Sequence, residues 1–470
     1  MEDILRYVDE HLPEYVERFR TYLRFPSVAA QNRGQEVCAT WLRDQMIQAG
    51  FDARLEPTKG GPPVVMGERK QPGAKRTLLV YGHYDVQPAE PLEEWHHDPF
   101  GAEIVDERIY ARGAVDQKGG GMASLIAVET LLKVRGKLPV NLRFIFEGEE
   151  EVGSHHLGQF AEDHVEFLHT DGCMTLDGPT NRATGQAHIN PGWRGGILAV
   201  ELRSKGANQD LYSAEAHYVP NAAWRLVWAL ATLKNEKEEI LIDGWYDDLL
   251  RPTEKDLELV RQFPFNAEAF AKKLGLKEML LGRTGAEPLI ARTYEPTCTI
   301  CGMQSGYTGK GMMTKVPATA FAKVDFRLRA GMEPERHLEL LRRHLDKHGF
   351  ADIEIVVLTS KYTADKTPLD SAIVKATSQA AAEAFGMPAL VFPEVESPNK
   401  YPTGSYWTLG PGSMVDLGTG IFGALGVPWV VCRYADRDTF NHAPNEFLSI
   451  EAFRRAIHWV ARSVELFAEV

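Results

Sequence analysis

The sequence predicts an α/β chain of two domains: a mostly parallel-sheet domain with helices on both faces and, inserted within it, a smaller ferredoxin-like α/β sandwich. Three observations predict this. The chain has 470 residues, whereas single hydrophobic cores stop growing at roughly 250–300. Its first third and its closing part alternate helical patterns with short apolar runs, the mark of βαβ units. From about residue 195 the order changes to β-α-β-β-α-β, with a long interruption after the first helix. One domain is therefore expected at 1–190 with 363–470, and the insertion at 191–362, its two ends close together.

Thr77 to Tyr81 (TLLVY) reads as a buried strand. From Gly119 to Arg135 the apolar residues Met122, Leu125, Val128 and Leu132 recur at helical spacing, and Gly136 stands where a C-cap belongs. Asn141 to Phe146 (NLRFIF) is the next strand. Both strands run into polar, acidic sequence, GHYD and EGEEEVGS, and open α/β sheets bind ligands beyond the carboxyl ends of their strands. In the insertion, strands are expected at Ile197 to Arg203, near Thr299, at Phe321 to Leu328 and at Ile353 to Leu358. In the third, Ala322, Val324, Phe326 and Leu328 alternate with Lys323, Asp325 and Arg327, so one face is buried. Its helices are expected at Asn221 to Leu233 and Pro334 to His348. A helix from Leu369 to Phe385, a strand from Trp429 to Cys432 and a helix from Ile450 to Leu466 then return to the first domain.

Composition narrows the class of function. Lys plus Arg is 52 against 65 for Asp plus Glu, a net charge of -13, and no basic run interrupts the chain, so nucleic acid and anionic membranes are poor partners. Hydrophobic residues at 44% and charged residues at 25% give the balance of an ordinary globular protein. The opening MEDILRYVDEH is charged and helix-patterned rather than a secretory signal, and no segment nears ~20 apolar residues; a cytoplasmic location is the expectation. Five cysteines make no disulfide framework, and the CxxC at Cys298 and Cys301 lacks a second pair. Reduced thiols, both buried on a strand, are expected there.

Taken singly, the chemistry-bearing residues have ordinary explanations. His83 is a histidine at a strand end, Asp116 a turn residue in GAVDQKGG, Glu149 to Glu151 an acidic loop, Asp177 a turn in LDGPT and His442 a neighbour of a helix cap in FNHAPNE. Together they are two imidazoles and several carboxylates at strand ends, which suit Zn, Mn or Co and suffice for two ions sharing one carboxylate. The HxD spacing of His83 and Asp85 puts both side chains on one side of an extended segment, so Asp85 is expected to accept the imidazole N–H and fix its tautomer.

These motifs resemble the metallopeptidase family that includes carnosine dipeptidase, glutamate carboxypeptidase, aminoacylase and the ArgE and DapE deacylases. GHYDVQP at 82–88, Trp95 with Asp98-Pro99-Phe100, ARGAVDQKG at 111–119, EEVGS at 150–154 and HAPNE at 442–446 follow the family pattern in order, over nearly the whole chain. The resemblance implies a catalytic metal-binding domain and an inserted lid through which two copies pair as a homodimer. It implies that His83 and Asp177 bind one metal and Glu151 and His442 the other, with Asp116 bridging, zinc being the first expectation. Glu150 becomes the general base. Arg327 in VDFRLR matches a clamp for a substrate's terminal carboxylate, and Thr314 and Ser413 match further substrate contacts. An Asp at 177 is similar to the dipeptidase and glutamate carboxypeptidase branches.

One motif departs. Relatives carry a histidine in DLHSG that polarises the scissile carbonyl across the dimer, whereas this chain reads Asp210-Leu211-Tyr212-Ser213-Ala214. Tyr212, or His217 from a shifted loop, is expected in its place. The sequence thus points to a dinuclear hydrolase of dipeptides or similar small peptides with a free carboxylate. An N-acyl amino acid deacylase differs from it only in the pocket, and a peptide-binding protein without catalysis is the rival from another class.

Overall fold

The computed structural model describes residues 1–182, 184–192, 196–361, 366–392, 421–423 and 425–470. The chain divides into two compact units, one from 1–192, 262–264 and 366–470, the other from 193–261 and 265–365. Strands are numbered in chain order.

The first unit is built on an eight-stranded sheet: β1 (Asp52–Glu56), β2 (Val64–Arg69), β3 (Thr77–His83), β6 (Asn141–Glu147), β7 (Gly172–Leu176), β8 (His188–Pro191), β15 (Leu390–Val391) and β16 (Trp429–Arg433). Their order across the sheet is β1-β2-β6-β3-β7-β16-β8-β15. The centre, β6-β3-β7-β16, is parallel throughout, while β1 with β2, β2 with β6 and β8 with β16 pair antiparallel and β15 joins β8 in parallel. Central strands read as unbroken apolar runs because both faces are covered. Leu78 and Val80 of β3 point into the core beneath helices 2–23, 35–48, 118–135, 372–385 and 450–469, whereas Leu79 and Tyr81 enter a second core with Leu157, Phe160 and Trp429.

The helix Lys118–Arg135 ends on Gly136 at φ 73, a left-handed C-cap that glycine adopts without a Cβ clash. The closing helix Ile450–Glu469 starts on Ser449, whose hydroxyl accepts the Ala452 N–H at 3.0 Å. It buries Phe453, Ile457, Trp459, Val460, Val464 and Phe467; at roughly 1.5–3 kcal/mol for each large apolar side chain, that face outweighs the cap several-fold. A small sheet of β4 (Glu103–Val105), β5 (Arg108–Tyr110) and β17 (Phe447–Ser449) brings the 440s beside the segment that leads into residues 111–116.

The second unit holds an antiparallel sheet of β9 (Ile197–Lys205), β11 (Thr297–Ser305), β13 (Thr319–Arg327) and β14 (Glu354–Lys361) in the order β11-β13-β9-β14. Helices Ala222–Ala231 and Pro334–Lys347 supply Leu226, Leu340, Leu341 and Leu345 to its core, against Leu198, Val200, Ala322, Val324 and Phe326. A two-stranded ribbon, β10 (Leu211–Tyr212) with β12 (Lys315–Val316), stands apart from that sheet. The long interruption contains helices Glu254–Gln262, Ala267–Lys273 and Glu287–Tyr294, which the periodicity did not single out. On β11, Cys298 is buried and Cys301 exposed; Cys301 falls where the register with β13 slips, between Ile300 and Gly302.

Candidate metal centre

Parallel pairing makes β6, β3 and β7 end on the same side of the sheet, so three loops open there. His83 is the last residue of β3, Glu150 and Glu151 form a short 3-10 turn just after β6, and Asp177 follows β7. Asp116 comes from the turn before the helix Lys118–Arg135, and His442 from the loop before β17.

His83, Asp116 and Glu151 each offer an atom within 4.8 Å of the others, a group that can hold a metal ion. Asp116 lies between two imidazoles: its Oδ1 is 3.2 Å from His83 Nε2 and its Oδ2 2.8 Å from His442 Nε2. Glu151 Oε2 is 3.2 Å from the same His442 nitrogen, and Glu150 Oε2 3.8 Å from His83 Nε2. Asp177 stands at the same sheet edge, its amide donating to Cys432 O at 3.0 Å, but it is not part of the three-residue group. It shares surroundings with Asp116 at the buried Tyr434 hydroxyl, which burial and the carboxylates of Asp177, Glu446 and Asp116 push well above its ordinary pKa.

Electrostatics suit a cation. Burial opposes the charged form of His83 and His442, yet the carboxylates around them prevail and raise both well above the ordinary 6.5. Asp116 is held well below the carboxylate range by His442 and His83 despite its burial. Glu151 Oε1 is buried and meets no hydrogen-bond donor among the described residues; such an oxygen is costly unless something positive satisfies it. Two imidazoles amid the carboxylates of Asp85, Asp116, Glu150 and Glu151 therefore fit divalent cations in donor chemistry and in charge.

Asp85 differs in detail from the sequence expectation. His83 Nδ1 lies 3.0 Å from the backbone carbonyl of Asp85 and 3.4 Å from its carboxylate. The carboxylate, wholly buried, accepts the amides of Glu150 and Glu151 at 3.2 and 3.0 Å. It thus holds the glutamate turn as well as facing the imidazole. From the other side, Ser154 Oγ and Tyr81 Oη donate to Glu147 at 2.8 and 2.7 Å, and burial pushes that carboxyl up to about 7.

Sequence reasoning passed over Arg112 and Glu446. Glu446 Oε2 accepts from Arg112 Nη1 at 2.8 Å and from the Gly113 amide at 3.0 Å; its Oε1 accepts from the Val115 and Asp116 amides at 2.9 and 3.2 Å. Burial raises the Glu446 pKa, with Arg112 and the amides pulling the other way. Gln117 was missed too: its Oε1 accepts the His83 amide at 2.9 Å and its Nε2 donates to Thr175 Oγ1 at 2.7 Å. A signal did exist, since all three stand inside the quoted motifs.

In the second unit, Tyr212 pairs with Lys315 on the β10–β12 ribbon, and Thr314, just before β12, accepts the Ser213 amide on its carbonyl at 3.3 Å. Tyr212 is exposed, as is His217 at the end of the turn Ser213–His217. Arg327 closes β13 and its Nε donates to Asp325 Oδ1 at 3.1 Å. Ser413 and Gly412 lie outside the described residues.

Imidazole and carboxylate groups gathered where parallel strands end are what a metal-dependent hydrolase requires, and known proteins agree on the class: this chain is a metallopeptidase. It belongs to peptidase family M20/M25/M40, whose family model matches residues 79–466. The structure of the M20 family metallo-carboxypeptidase Sso-CP2 from Sulfolobus solfataricus is similar at a TM-score of 0.74 and 34% identity, covering 97% of this chain and 100% of that one. The Cys-Gly metallodipeptidase DUG1 of Candida albicans is 28% identical over 357 residues, 72% of this chain and 73% of its own. The Beta-Ala-His dipeptidase of Homo sapiens is 28% identical over 371 residues, 74% of this chain and 71% of its own.

Proposed function

We propose that the chain hydrolyses the amide bond of dipeptides or similar small peptides bearing a free C-terminal carboxylate, as a homodimer in the cytoplasm. The observation that carries this reading is the Asp116 carboxylate with one imidazole on each oxygen and Glu151 beside the second. The names of the Cys-Gly and Beta-Ala-His dipeptidases support the substrate class, and free thiols at all five cysteines fit a reducing compartment.

His83 and Asp177 would hold one divalent cation, Glu151 and His442 the other, and Asp116 both, with zinc the first expectation. Bound there, the cations supply polarisation of the scissile carbonyl and a lowered pKa for the attacking water. Glu150, 3.8 Å from His83 Nε2, takes a proton from that water as its oxygen bonds the carbonyl carbon. It returns the proton to the departing amine nitrogen as the C–N bond breaks. Asp116 keeps the two imidazoles in place, and Asp85 steadies Glu150 through its amide. Arg327 is assigned the substrate carboxylate, which a guanidinium grips bidentately; Thr314 and either Tyr212 or His217 are assigned further substrate contacts.

The homodimer reading rests on the second unit. Its first helix exposes Trp224 and Trp228, stacked with centroids 5.8 Å apart, and its edge strand β11 exposes Ile300 and Met303. Exposed apolar surface and an open strand edge both call for cover.

The test is a panel of dipeptides, their C-terminal amides and N-acyl amino acids, each assayed with zinc, manganese and cobalt. Turnover of free dipeptides, loss of rate on amidation and loss on chelation are expected. Turnover of N-acyl amino acids alone would make the chain a deacylase instead.

A further inference from the structure

We propose that the buried Arg112–Glu446 ion pair is the positioning device that holds the Asp116 and His442 loops at metal-binding distance before any cation arrives. The proposal rests on the metal-centre reading above and assigns a role to two residues outside the ligand set.

Arg112 and Asp116 are four residues apart, as are His442 and Glu446. The two pairs meet crosswise, with Glu446 on Arg112 at one end and His442 Nε2 on Asp116 Oδ2 at the other, both at 2.8 Å. The tie reaches the backbone of each ligand loop: Glu446 accepts the amide of Asp116 itself, and Arg112 Nη1 donates to the carbonyl of Ala443, next to His442, at 3.3 Å. Arg112 also donates to Pro88 O at 3.2 Å and lies over the Trp95 ring, 5.3 Å from its centroid. Neighbouring Asn445 donates to Glu94 O at 2.9 Å and accepts from the His96 amide at 2.7 Å.

The His442 loop needs such a hold. Phe440, His442 and Asn445 have φ of 55, 60 and 67, a left-handed conformation that residues with a Cβ adopt only when their surroundings impose it. Both charges are almost wholly buried, Arg112 at 1% and Glu446 at 0% exposure. A buried ion pair on its own is weak stabilisation, because desolvation offsets the attraction. Here all four donors on Glu446 come from residues 112–116 while Arg112 donates back to Ala443 O beside His442, so the pair ties the two loops together, which is the arrangement expected of a group that orients ligands.

The test compares wild type, Glu446→Gln, Arg112→Lys and Asp116→Asn, all stripped of metal and checked for folding by circular dichroism. Zinc binding is titrated calorimetrically well below the melting temperature of each, and the visible spectrum of the cobalt-loaded protein is recorded. Glu446→Gln and Arg112→Lys are expected to bind zinc about 10- to 100-fold more weakly and to shift the cobalt bands; a residue that only stabilises the fold would lower the melting temperature and move neither. Folded variants with wild-type affinity and spectrum overturn the proposal. If Glu446→Gln does not fold, Arg112→Lys, which keeps the charge, decides it alone. If wild type itself binds no cation, or Asp116→Asn binds as well as wild type, the metal-centre reading fails and takes this proposal with it.

Discussion

Asp116 is the residue on which the centre turns, since both imidazoles point at it. The surrounding carboxylates raise both imidazoles well above their ordinary 6.5, and a cation takes only the deprotonated nitrogen. Binding should therefore expel protons: zinc calorimetry at pH 7 in buffers of different ionisation enthalpy should show at least one proton released per chain, and affinity should fall as pH falls. A buffer-independent heat would contradict the charge state derived from the geometry. Glu150→Gln should retain both metals by elemental analysis while losing about 100- to 10,000-fold in kcat, the span of general base catalysis. The gathering of His83, Asp116, Glu150, Glu151 and His442 was legible, because each sits in a short motif at a fixed distance from a strand or helix signal; Asp177 stands outside the three-residue group. The tie between Arg112 and Glu446 was not legible, although both residues stand inside those motifs. Their role exists only where two loops more than 300 residues apart in sequence meet, with a separation of 334 between the bonded partners, and no local spacing records that.

Strands were legible where their buried positions form a continuous apolar run. β3 and β6 announced themselves as apolar runs; β1, DARLE, is exposed or half-buried along its length and leaves no run to notice. β8, HINP, is fully buried yet polar, which hid it for the opposite reason. That strand carries a pH dependence. Burial and the nearby Arg433 push His188 down to about 3 from 6.5, so the unfolded chain takes up its proton first as pH falls. Stability should drop from pH 6.5 downward by ~1.4 kcal/mol per unit, about 3 kcal/mol by pH 4.5. Urea midpoints for His188→Gln should be flatter over that range than for wild type; equal slopes would exclude this histidine as a source of acid sensitivity. At the closing helix, Ser449 caps the Ala452 amide and donates to Asp436 Oδ1 at 2.9 Å. Ser449→Ala should cost about 1–2 kcal/mol by denaturant unfolding.

At the scale of the whole molecule, the change in element order near residue 195 led to the expectation of an insertion, whereas the helices between 254 and 294 were lost in the long interruption. Each unit has a core of its own, so calorimetry should resolve two transitions, and a chelator should lower only the one belonging to the unit with the metal centre. Equal shifts of both would mean that the units unfold as one. If two copies pair through the second unit as proposed, Trp224→Glu with Trp228→Glu should lower the mass seen by light scattering from dimer to monomer while leaving zinc affinity within twofold; a monomeric wild type, or a double variant that stays dimeric, would overturn that pairing.

The pairing of β16 with β7 joins Trp429 to Cys173 and Cys432 to Leu176. A ribosome making this chain has therefore delivered every strand of the inserted sheet by Lys361 while the parallel sheet still lacks an interior member. The insertion can finish first, and the half-built sheet waits with an apolar edge on offer, so the arrival of β16 decides whether it closes or clumps.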